Sequence, residues 1–234
     1  MRQTSVALGL LLGAVAVSPV AVLAGQAAAK PDVSELQIGD LVPSTTLIDQ
    51  NGAPFSLAGF RGQPIVLTFV YTRCKERDEC PLISGKFHEL QSAFAHTDTH
   101  LVEVTLDPRY DRPAALAKYA RQFDANPKRW TFGTGDPKTV FRFDSQFGVD
   151  PYPSKKGDII HGLDTAVIDR SGVIRNEMYD ARWSPKTIIA EVNALPPRNR
   201  RPWFIPLIML VIVASMLCGW LFAPSRLRGR RGRR

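Results

Sequence analysis

Residues 64–71 read PIVLTFVY, and no other stretch restricts the fold as strongly. β-Branched and aromatic residues fill it without polar alternation. A strand of that composition is covered on both faces, so structure must pack on either side of it. Residues 101–106 (LVEVTL) and 163–168 (LDTAVI) are two further strands, and Ser171-Gly172 turns the chain into another at 173–178. Asn51-Gly52 lies between short β-prone runs at 45–48 and 55–57, a hairpin signal. Helices are marked by their starts. Cys80-Pro81, Asp136-Pro137 and Ser184-Pro185 each put proline at a first helical position. Asp136 and Ser184 are also good N-caps. After Cys80, residues Ile83, Phe87, Leu90 and Phe94 form one apolar stripe. A further helix is expected over 114–123. Alternating strands and helices imply an α/β fold, a mixed sheet with helices on both faces.

Charge then separates the chain into parts. The 234 residues carry a net charge of +8. Residues 1–29 hold one basic residue, Arg2, and residues 198–234 hold nine arginines, with no acid in either. The middle, 30–197, keeps 20 basic and 22 acidic residues. A slightly acidic middle argues against a basic nucleic-acid-binding domain. The ends suit a membrane. Arg2, the apolar run 6–17 and the small residues up to Ala29 make a signal peptide over 1–29, cleaved after Ala24 or Ala29. An uncleaved anchor is the alternative. Residues 203–223 hold 21 residues without charge, enough for a transmembrane helix of about 30 Å. Trp203 and Trp220 lie near its ends, and Cys218 within it is a small apolar filler. A basic linker (198–202) precedes it, and an Arg-rich tail (224–234) follows with six arginines. The positive-inside bias places that tail in the cytoplasm and the domain at 30–197 on the far side.

Both cysteines of that domain lie in one loop, YTRCKERDECPL, between the covered strand and the next helix. The space beyond a strand's carboxyl end is where such sheets usually carry sites. A structural disulfide is one reading, although its loop is short and removes little entropy from the unfolded chain. A reactive pair is the other. A helix N-terminus favours a thiolate at Cys80 and Arg73 favours one at Cys74, while Glu76, Asp78 and Glu79 oppose both. Two thiolates and an imidazole would suit copper, Cu(I) above all. Three donors leave an ion open to handover, unlike a closed four-ligand zinc site. His161 precedes the strand at 163–168 and would reach the same sheet edge if that strand neighbours the covered one. His88 stands about 12 Å along its helix from Cys80, and His96 and His100 lie farther on.

The segments GFRGQPIVLTFVYTRC, CPLISGKFHELQ, TLDPRYDRPAALAKYARQF, RWTFGTGD and HGLDTAVIDRSGVIR occur in this order over about residues 39–178. Together they resemble the Sco/SenC family of thioredoxin-like proteins. The resemblance implies a copper site of Cys74, Cys80 and His161, holding Cu(I) or Cu(II), in which the cysteines can also form a redox-active disulfide. It matches Asp107 to an acidic residue after the next strand that would support the ligands or touch a partner, the alternative being a turn residue ahead of Pro108. It also implies a metallochaperone for the copper centre of cytochrome c oxidase. The partner would be the copper-accepting oxidase subunit or another periplasmic copper protein, and the location a bacterial inner membrane with the domain in the periplasm. The sequence departs from the common pattern. Five residues rather than three separate the cysteines, Lys75 replaces a proline, Ile160 replaces an aspartate, and the anchor is C-terminal. Two other functions use the same cysteines: a thiol-disulfide oxidoreductase that needs no metal, and a thioredoxin-like peroxide reductase. Neither requires His161.

Overall fold

The computed structural model describes residues 33–77, 79–154, 158–162 and 164–197. The expected signal peptide, basic linker, transmembrane helix and Arg-rich tail lie outside the described residues. Among those described, no helix is long and apolar enough to cross a membrane.

The chain opens with a hairpin of β1 (Leu47–Ile48) and β2 (Pro54–Phe55). Asp49 closes its turn by accepting the backbone N–H groups of Asn51 and Ala53, both at 2.8 Å. Gly52 supplies the positive φ of 85° that a side chain would resist. A 3-10 turn (Leu57–Phe60) leads into β3 (Ile65–Val70), every residue of which is buried. Then follow α1 (Cys80–Ala93), β4 (His100–Thr105), α2 (Pro113–Gln122), β5 (Trp130–Gly133) and α3 (Pro137–Gln146). A short hairpin of β6 (Tyr152–Pro153) and β7 (Ile159–Ile160) precedes β8 (Thr165–Ile168), β9 (Ile174–Met178) and α4 (Pro185–Ala194).

Five strands form the main sheet in the order β5-β4-β3-β8-β9. The covered strand is therefore central. β4 and β5 run parallel to it, β8 runs antiparallel to β3, and β9 antiparallel to β8. Helices cover both faces. Phe87 of α1 and Tyr119 of α2 pack on Trp130 and Phe132 of β5. Phe143 of α3 and Phe147 just after it pack on Phe69 of β3, whose register partner Val104 lies on the face opposite to Glu103 and Phe132. The stripe of Ile83, Phe87, Leu90 and Phe94 is buried throughout, as its spacing requires. Asp136 caps α3 by accepting the Thr139 N–H at 3.1 Å, and Ser184 caps α4 by accepting the Thr187 N–H at 3.2 Å.

Strands β5, β6 and β7 are not signalled by the sequence pattern. β5 has four residues, all buried, and the other two have two each, too short to show a period. The topology fixes the site. Thr68 pairs with Thr165, so the carboxyl end of β3 and the start of β8 share one edge of the sheet. The cysteine loop leaves that edge, and the segment carrying His161 arrives there.

Candidate metal centre

The cysteine loop is braced before it begins. Thr72 donates its backbone N–H (3.0 Å) and its hydroxyl to Asp111, and Thr105 donates to the same carboxylate at 2.6 Å. Burial pushes the Asp111 carboxyl above its ordinary range, against these hydrogen bonds. Next in the chain, Arg73 pairs with Asp107, and its guanidinium lies 4.3 Å from the centre of the Tyr110 ring. Arg73 therefore does not serve the Cys74 sulfur, contrary to expectation. Asp107 and Tyr110 satisfy its charge from the turn after β4. Asp107 acts on the loop through Arg73, the immediate neighbour of Cys74.

Cys74 is half-buried and Cys80 is fully buried at the first position of α1; both are free thiols. The Cys74 sulfur lies 3.8 Å from the Glu76 carbonyl oxygen and 3.9 Å from Glu79 Oε2, and its thiol can donate to either. Hydrogen bonding by the Cys80 thiol lowers the Cys74 pKa to about 6, with burial opposing it. The Cys80 thiol is pushed far up, first by that hydrogen bond to Cys74, then by burial and the nearby Cys74 charge. A thiolate is therefore stabilised at Cys74 and disfavoured at Cys80, where the sequence placed the effect of the helix start.

His161 follows β7 directly. Its side chain is 2% exposed, its Nδ1 lies 2.6 Å from the Gly162 carbonyl, and its Nε2 is buried without a hydrogen-bond partner. A buried imidazole nitrogen left unpaired is costly unless something binds there. Tyr71 connects the two halves. Its ring meets His161 edge-on at 5.7 Å. Its side chain helps to lower the Cys74 pKa, and the Ile159 backbone, two residues before His161, acts to lower that of Tyr71 itself. Burial, then the sulfur's charge, raise the Tyr71 pKa and keep the phenol protonated.

The structure thus places Cys74 beside Cys80 and brings His161 to the same end of the sheet. Among the described residues no three His, Cys, Asp or Glu side chains are gathered closely enough to hold an ion as they stand. The donor set nevertheless fits a soft cation: two sulfurs and one unpaired imidazole nitrogen. His88 is bound to the Phe123 carbonyl at 2.8 Å, and His100 is buried against Phe60 and Thr131, so neither faces the site. Sequence reasoning missed Tyr71 and Asp111. Tyr71 reads as the last residue of a covered strand and Asp111 as a residue ahead of a helix. Thr72 stands 39 positions from Asp111, and His161 about 90 from Tyr71.

The family model for SCO1/SenC matches residues 35–196. The "SCO1 protein homolog" of Bacillus subtilis is 24% identical over 147 residues, 58% of this chain and 75% of the relative. A chloroplastic peroxiredoxin Q of Sedum lineare is 27% identical over 157 residues, 67% of this chain and 76% of its own length. Among solved structures, a SCO1/SenC family lipoprotein from Bacillus anthracis superposes with a TM-score of 0.62 at 22% identity, over 70% of this chain and 98% of that one. The ScoI of Bradyrhizobium japonicum, solved with copper bound, gives 0.53 at 23% identity, over 68% and 100%. These likenesses show a shared thioredoxin-like α/β fold.

Proposed function

The chain belongs to the SCO1/SenC family, and from that premise we propose that it is a copper metallochaperone acting in assembly of the copper centre of cytochrome c oxidase. Copper is its cargo, held by Cys74, Cys80 and His161. We place it in a bacterial inner membrane, its domain in the periplasm and its anchor over residues 203–223. The observation that carries the reading is the buried, unpaired Nε2 of His161 at the sheet edge that also presents the two thiols. A dithiol enzyme has no use for it, whereas a soft three-donor site does. Copper supplies the affinity when bound. The protein supplies deprotonated sulfur at Cys74, a histidine ring held by Gly162 and Tyr71, and an opening to solvent at half-buried Cys74. Exposed Leu82 and Tyr110 flank the loop and offer a partner protein apolar surface.

The test is Cu(I) titration of the full chain with its thiols reduced and then oxidised. The reduced protein binds one equivalent and releases protons as it does so. The disulfide form loses tight binding because the sulfur donors are consumed. Equal binding by both forms refutes the reading.

One observation favours a second use of the same site. The unequal thiols suit disulfide exchange, in which the Cys74 thiolate attacks a partner's disulfide and Cys80 then resolves the mixed disulfide. The partner leaves with two thiols and this chain with a Cys74–Cys80 bond, two electrons having passed. The same thiolate would serve peroxide reduction. Full activity in a His161→Ala variant, with copper binding unaffected, decides for thiol chemistry.

A further inference from the structure

The five-residue spacer between the cysteines ends in Glu79, whose carboxylate does not take the part its position offers. Glu79 is the N-cap of α1, where a side-chain oxygen ordinarily accepts a first-turn N–H, yet it makes no such bond. Its Oε2 instead accepts the Cys74 thiol in a long contact of 3.9 Å and lies 3.9 Å from His161 Nε2. The contact to nitrogen is too long for a hydrogen bond, which ends near about 3.2 Å. It is close to the spacing of donors around a shared ion. With metal–sulfur bonds of about 2.3 Å and metal–nitrogen or metal–oxygen bonds of about 2.0 Å, neighbouring donors of a tetrahedral ion stand about 3.3–3.5 Å apart. One carboxylate oxygen therefore faces two of the three candidate donors a few tenths of an ångström beyond ligand spacing. The second observation is the nitrogen itself, buried and unpaired with this oxygen as its neighbour. The Glu79 side chain is 41% exposed and so has room to move inward.

Resting on the copper reading of the same pocket, we propose that Glu79 is a fourth metal ligand, completing with Cys74, Cys80 and His161 a site for a divalent ion such as Cu(II). Cu(I) is satisfied by the two sulfurs and the imidazole. A divalent ion is harder, prefers an added oxygen donor, and carries the extra positive charge that a carboxylate offsets. Glu79 thus engages the oxidised ion and contributes little to the reduced one. The charged spacer becomes a selector between oxidation states rather than a neutral insertion.

The experiment uses Co(II), which reports coordination number by its visible spectrum and does not oxidise thiols under anaerobic conditions. Co(II) and, separately, Cu(I) are titrated into the reduced full chain, into Glu79→Gln, and into Glu79→Ser. Serine is itself a good N-cap, so the second variant keeps the helix start while removing the carboxylate. The wild-type chain gives the intense spectrum of four-coordinate Co(II). Both variants lose about tenfold or more in Co(II) affinity with a shifted spectrum, while Cu(I) affinity stays within about threefold. Wild-type Co(II) affinity and spectrum in either variant, or no four-coordinate spectrum in the wild type, overturns the proposal. Failure of the wild-type chain to bind Cu(I) strikes instead at the copper reading beneath it.

Discussion

The cysteine half and the histidine half of the site are held in place by different means. The cysteine loop hangs from the central strand and runs into a fourteen-residue helix. Asp111 grips its first residues through Thr72, and Asp107 holds Arg73. The histidine follows β7, a two-residue strand that pairs with β6. Its ring is fixed by one neighbouring carbonyl and the edge of Tyr71. The contrast teaches that the sulfurs are part of the fold, whereas the imidazole is added from a small appended hairpin. Loss of a brace on the first half should unsettle the domain. Loss of the histidine should touch the site alone.

The largest effect tests whether the sulfurs dominate binding. Cys74→Ser and Cys80→Ser should each lower Cu(I) affinity by about 100-fold or more, because oxygen replaces a soft donor. Competition with a chromogenic Cu(I) chelator measures it, and near-wild-type binding by either variant would break the comparison at its root. Asp111→Ala comes next. It strands the Thr72 N–H and two hydroxyls that now share one buried carboxylate, at a cost of about 2–3 kcal/mol. Urea unfolding reads this, and a change below half a kcal/mol would show that the cysteine half is not braced as described. His161→Ala should reduce Cu(I) affinity by about tenfold while moving the unfolding midpoint little. A stability loss as large as that of Asp111→Ala would erase the distinction between the halves.

The smallest effect lies beneath α1. Glu103 is fully buried, accepts Ser84 Oγ at 3.0 Å, and Ser84 in turn lies 2.9 Å from the Tyr119 hydroxyl. Burial raises the Glu103 pKa to about 8, with the Ser84 hydrogen bond working against it. The folded state therefore holds a proton that the unfolded chain releases at its ordinary carboxyl pKa. This contribution is complete below that ordinary value and is lost as pH rises through about 8. Stability measured by urea at pH 6 and pH 9 should fall more steeply in the wild type than in Glu103→Gln. Parallel profiles would show that Glu103 carries no proton into the fold.

Much of this was legible in the sequence where the signal is local and periodic. The unbroken apolar run of β3, the buried stripe from Ile83 to Phe94, the Asn51-Gly52 turn and the caps at Asp136 and Ser184 all follow from neighbours a few residues apart. Cys74 and Cys80 declared themselves by their place after a covered strand, and His161 by resemblance. What stayed hidden depends on long-range geometry. The capture of Arg73 by Asp107, the grip of Asp111 on Thr72 and the edge-on contact of Tyr71 with His161 have no sequence period. Glu79 read as one charge among several in the spacer, because nothing in a linear sequence tells a capping carboxylate from one turned toward a sulfur.

The central claim is that Cys74, Cys80 and His161 act on one ion. X-ray absorption at the copper edge, on the reduced full chain loaded with one equivalent of Cu(I), tests this most directly. Two sulfur scatterers and one imidazole nitrogen are expected in the wild type, with the nitrogen signal lost in His161→Ala and the sulfurs retained. A spectrum without sulfur, or an imidazole signal that survives the loss of His161, would contradict the account.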